Sequence, residues 1–194
     1  MKQPTFTTLA QVPAALAAEK ARPGAFRNAL AAAIAAEQVT IQQLEAALDP
    51  AGIAALATAQ TKLDALTTRL SDFDRFPLEN WQRQLADALC QTHAATIAGL
   101  FEAQLALAER KAPGVFEKLA EKLAALARKA IGRNLSPEDV RLVAVESDRV
   151  QGEADALNYS LSVAQSGIAN FKAAPGEETF NSANSAIRAA ADFS

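Results

Sequence analysis

The 194-residue sequence holds one Cys, one His, one Trp, one Tyr and one Met. A single cysteine excludes an intrachain disulfide and fits a reducing compartment. One His and one Cys cannot furnish a typical zinc site. The carboxylate-bridged di-metal bundles need a Glu-x-x-His on each of two helices, which a single His excludes. With 8 Gly and 8 Pro, a collagen-like chain is excluded. Val and Ile are sparse, 8 and 7 residues, so a sheet protein is nearly ruled out. Half the residues are apolar and the net charge is only −3, which argues against disorder. The phosphate cradle G-x-x-x-x-G-K-S/T, the dinucleotide fingerprint G-x-G-x-x-G, H-E-x-x-H and C-x-x-C are all missing. No cofactor and no metal are expected. The most apolar window, residues 29–36, lies between Arg27 and Glu37 and is far too short to span a bilayer. No apolar core of a secretory signal follows Met1 and Lys2, so the expectation is a cytoplasmic protein, or one incorporated into a virion.

What is abundant is alanine, 47 residues, and leucine, 22. These two head the helix-propensity ranking. The fold class read from them is all-α: an elongated helical bundle with coiled-coil-like seams. Residues 1–194 are expected to form a single domain, with an N-terminal subregion of shorter helices over 1–72. Breaks at Arg22-Pro23-Gly24, Asp49-Pro50, the corner 71–77, Ala112-Pro113-Gly114, 132–134 and Pro175-Gly176 divide it. The segments between them predict helices over about 7–21, 24–48, 50–71, 77–111, 115–132, 136–172 and 177–191.

Two of these helices are long. The one over about 77–111 carries Leu85, Leu89, His93, Ile97, Phe101 and Leu105 four apart. The one over about 136–172 opens on Ser136-Pro137-Glu138-Asp139, which combines a cap, a first-turn proline and two acids facing the macrodipole. Its seam, Val140, Val143, Ser147, Val150, Ala154, Leu157, Leu161, Ala164, Ile168 and Phe171, alternates spacings of 3 and 4 throughout. Leu56, Leu63 and Leu70 are seven apart on the third helix, which is coiled-coil spacing. Residues 109–133 are net basic and 136–155 net acidic, which predicts that the two flanks fold back antiparallel.

Few residues carry chemistry. Cys90 and His93 stand three apart on one expected helix, but mid-helix, where nothing lowers the thiol pKa. They read as core residues. The basic stretch Arg110–Arg133 is interleaved with Glu117 and Glu121 and has no aromatic to stack a base, so nucleic acid is not the expected partner. No helix has the basic, bulky amphipathic character of a membrane binder. Phe73, Phe76 and Trp81, at the corner before the long helix, are the candidate partner-binding residues, because Trp and Phe anchor interfaces. No catalytic residue is assigned. The expected function is a non-enzymatic structural or adaptor protein. It acts through helix surfaces in a larger protein assembly, a phage or virion component being one such assembly, and a homo-oligomer another. The alternative is a regulatory protein-binding module such as an inhibitor or a chaperone-like adaptor.

Overall fold

The computed structural model describes residues 4–47, 50–131 and 136–192. Six helices account for 91% of the structure: α1 Gln11–Ala47, α2 Pro50–Asp74, α3 Leu78–Thr92, α4 Ala94–Ala130, α5 Pro137–Ala173 and α6 Glu177–Asp192. The described residues contain no strand, and the fold is an all-α helical bundle.

The expected boundaries hold best where a cap is built. Ser136 caps α5 with its hydroxyl accepting from the Asp139 N–H at 3.2 Å, and the Asp139 carboxylate accepts from the Ser136 N–H at 3.3 Å. This is a capping box, with Pro137 in the first turn. The range 137–173 matches the expected second long helix. The stops expected at Gly132 and Asn134, and the cap expected at Asp49, fall outside the described residues.

Two expected breaks are absent. Pro23 and Pro113 both lie inside 37-residue helices. Apolar periodicity explains each case. Leu16, Pro23 and Leu30 are buried seven residues apart, so the Pro23 ring is itself a seam member. Around Pro113 the buried series Leu105, Ala108, Ala112, Leu119 runs on without a phase change. Pro113 is exposed, so the Glu109 carbonyl deprived of its donor lies on the wet side. Conversely, the expected helix over 77–111 is two helices. His93, with φ −109° and ψ 16°, interrupts the row between Leu89 and Ile97. It caps α4 with no side-chain hydrogen bond and packs its ring edge-on against Phe6 at 4.9 Å. Cys90 and His93 therefore do not share one continuous helix with Ile97.

The chain divides into two compact units, one running from the N-terminus to Val12 and resuming at Cys90, the other comprising Pro13–Leu89. In the first, α4, α5 and α6 pack on one another. Glu102 pairs with Lys172, and Glu109 accepts from Gln165 at 2.9 Å, so α4 and α5 are antiparallel, as the charge pattern predicts. Phe101, Phe171 and Phe180 meet at centroid distances of 5.5–6.5 Å, one ring from each helix, and all are fully buried. The seam read on α5 is buried at Val150, Leu157, Ala164, Ile168 and Phe171, while its first member, Val140, is exposed. Thr92 and Gln104, polar positions of the helix expected over 77–111, are exposed.

In the second unit, α1 and α2 form an antiparallel hairpin. Arg27 meets Asp74, Phe26 meets Phe73, and Glu37 meets Lys62. Each pair of numbers falls near a common sum, which fixes the register. The threonines of α2 do not disturb it. Thr58, Thr61, Thr67 and Thr68 donate to the carbonyls four residues back.

Candidate functional site

The corner between α2 and α3 gathers aromatic rings within the Pro13–Leu89 unit. Helix α2 ends at Asp74, and Pro77 precedes α3. A proline just past a helix end cannot continue the old helix and suits the start of the next. The helix-end carbonyl of Phe73 accepts weakly from the Phe76 N–H at 3.5 Å and more closely from the Trp81 indole N–H at 3.3 Å. That bond satisfies a helix-end acceptor and a half-buried indole donor together. It also holds the Trp81 ring parallel to Phe73, 5.6 Å between centroids and 7° between planes. Phe76 stands edge-on to Trp81 at 5.7 Å.

The structure brings all three sequence-predicted residues together and adds a fourth. Phe26 of α1 lies 5.5 Å from Phe73, and the Arg69 guanidinium sits 6.0 Å from its centroid. Phe26 is 47 positions from Phe73 in the chain, so no local signal joins them. Only the antiparallel register of α1 and α2 could have paired them. Beside the rings, Arg27 donates to both Asp74 oxygens, Nε at 2.9 Å and a terminal nitrogen at 3.0 Å. Hydrogen bonding to Arg27 and its charge hold the Asp74 carboxyl below the ordinary range, and the same contact raises Arg27. The frame is fixed, yet two rings stay open to solvent: Phe76 is 57% exposed and Phe26 43%.

The remaining candidates lie elsewhere. Cys90 is fully buried. The basic flank of α4 faces α5, where Lys122, Lys129, Glu146 and Arg149 line a shallow cleft of about 250 Å³. Arg149 holds Glu146 below its usual range, chiefly through their hydrogen bonds, with Lys122 adding to the effect. These cations therefore face carboxylates of the same unit. A second open cleft of about 290 Å³ is lined by Ala94, Ala95, Ala98 and Gly99 together with the paired Glu102 and Lys172. Among the described residues no three His, Cys, Asp or Glu stand where they could hold a metal ion, and no helix is long and apolar enough to cross a membrane.

No family model matches the chain, and neither a curated protein nor a solved structure shows significant similarity to it.

Proposed function

We propose that the protein is a non-enzymatic structural or adaptor component that contacts other proteins through its helix surfaces, with the α2–α3 aromatic corner as a docking point. The observation that carries this reading is Phe76, more than half exposed on a frame fixed by the Trp81–Phe73 stack and the Arg27–Asp74 pair. Rigid aromatic rings lose little side-chain entropy on binding and bury a large area, which is why interfaces enrich in them. A phage or virion would be one assembly of this kind.

The test is capture from the native source with full-length protein, comparing wild type with Phe76→Asp. Phe76 is exposed, so the variant should keep its far-UV circular dichroism. Loss of a central anchor should weaken partner capture at least about tenfold. Undiminished capture by a folded Phe76→Asp variant would remove the corner from the reading. A many-copy complex among the captured species supports the assembly role, whereas a single stoichiometric partner favours a regulatory binding module.

A further inference from the structure

The outer part of the α1–α2 hairpin is almost without charge. Residues 28–61 contain only Glu37, Glu45 and Asp49, and no Lys or Arg. Over the whole chain 21% of residues are charged. Glu37, the one buried carboxylate among the described residues, is already paired with Lys62 of the facing helix.

The hairpin's own seam is incomplete. On α2 the apolar positions Leu56, Ala59, Leu63, Leu66 and Leu70 alternate spacings of 3 and 4, and all but Ala59 remain half-buried. Opposite them, Ile34, Ile41 and Leu44 of α1 are also half-buried, while Leu30, nearer the corner, is buried. Ile53, three residues before Leu56 at the flank of the α2 seam, is 63% exposed. A two-helix hairpin covers such a stripe from one side only. Helices with apolar positions at this spacing complete their core in bundles of four.

We propose that this face of the α1–α2 hairpin pairs with the same face of a second copy of the chain, giving a four-helix core at a two-fold dimer interface. Two observations select a second copy over another occupant. In a two-fold interface every patch meets its own kind. A face bearing a block of one charge sign would repel itself, whereas this face carries a neutralised Glu37, Glu45 at its edge, and otherwise Ala, Leu, Ile, Gln and Thr, so it meets its copy at little electrostatic cost. The size also fits. Two helices of about 20 residues offer a face about 30 Å long and about 20 Å wide, or on the order of 600 Å² per copy, close to the roughly 800 Å² per partner of a stable complex.

Sedimentation equilibrium of the full chain tests this. The expected mass is twice the 20.4 kDa of one chain, with little change in dimer affinity between about 50 mM and about 500 mM salt, since no ion pairs need form across the interface. Ile53→Glu places a charge beside the seam at an exposed position within the proposed interface and should raise the dissociation constant at least about tenfold. Val39→Glu makes the same change two positions beyond Glu37, on the opposite side of α1, at a residue 52% exposed, and should leave the dimer intact. Should Ile53→Glu not fold, hydrogen exchange of the wild type at two concentrations gives the same answer: protection that grows with concentration over 30–47 and 53–70 is expected. A monomer at tens of micromolar, an oligomer insensitive to Ile53→Glu, a dimer broken by Val39→Glu, or concentration-dependent protection confined to other helices would each overturn the proposal. So would a monomer whose seam becomes protected only on adding a different protein.

Discussion

At Gly167, α5 and α6 approach so closely that an added Cβ would stand 3.0 Å from the Ala183 Cα. That contact is with backbone, so no side-chain rotation can relieve it. Gly152, on the same helix, has nothing within 4 Å of the corresponding position. The two glycines therefore separate helix propensity from packing. Gly152→Ala should stabilise by about 0.5–1 kcal/mol, the ordinary gain of alanine over glycine in a helix. Gly167→Ala receives the same gain but must push α6 away from the three-phenylalanine core, a cost of about 1–3 kcal/mol, and should destabilise on balance. Urea unfolding of both variants measures the difference; a stabilised Gly167→Ala would mean that α6 yields freely. Glu37 is the other residue whose surroundings exceed its sequence signal. It occupies a position seven residues from Leu30 and Leu44 on the α1 seam, where an apolar residue would pack, and it is buried against Lys62. A buried, paired charge is weak evidence for stability but fixes register, because any slip leaves the carboxylate unpaired.

The helices show where sequence reasoning succeeds and where it weighs a local signal too heavily. The capping box at Ser136 and the 3–4 seam of α5 agree with each other, and that helix lies where the sequence places it, as α6 does. Pro23 and Pro113 conflict with the periodicity around them, and periodicity prevails: one missing hydrogen bond, costing about 3 kcal/mol in a helix interior, is outweighed by a seam extending over many turns. His93 is the opposite case. It fits the four-residue row, carries no breaker signature, and yet marks a break, so nothing local identified it. The candidate site divides in the same manner. Phe73, Phe76 and Trp81 are close in sequence and were legible as a corner, whereas Phe26 depends on a long-range register. The prolines supply an element-scale prediction. Pro113→Ala restores a backbone donor at an exposed position and should stabilise by about 1–3 kcal/mol. Pro23→Ala restores the same bond but empties the space of a buried ring, and the two changes should cancel to within about 1 kcal/mol. Thermal melts of both variants check this, and equal gains would mean that the Pro23 ring contributes nothing to the α1 seam.

At the scale of the whole molecule, two carboxylates among the described residues are held low by arginine: Asp74 by Arg27 and Glu146 by Arg149. A carboxyl whose folded pKa lies below its unfolded value adds stability above the unfolded value. That contribution is lost as pH falls through the folded one. The arginines stay protonated throughout and add no slope. Stability should therefore be level from about pH 7 to about pH 5 and decline below about pH 4, more gently in high salt because both pairs are exposed. Asp74→Asn should flatten part of that acid limb in a series of urea midpoints, and an unchanged limb would assign it to other carboxylates. The scarcity of certain residue types has one further consequence, for spectroscopy. Trp81 is the only tryptophan and belongs to the Pro13–Leu89 unit, while Cys90, the only thiol, is buried in the other. Indole fluorescence excited at the red edge and the rate of thiol labelling are thus two native reporters placed nine residues apart on α3, one on each side of the boundary between the units. A substitution that opens the aromatic corner alone should change the fluorescence and leave the labelling rate as it was, whereas one that frays α3 should change both, with no label engineered into the chain.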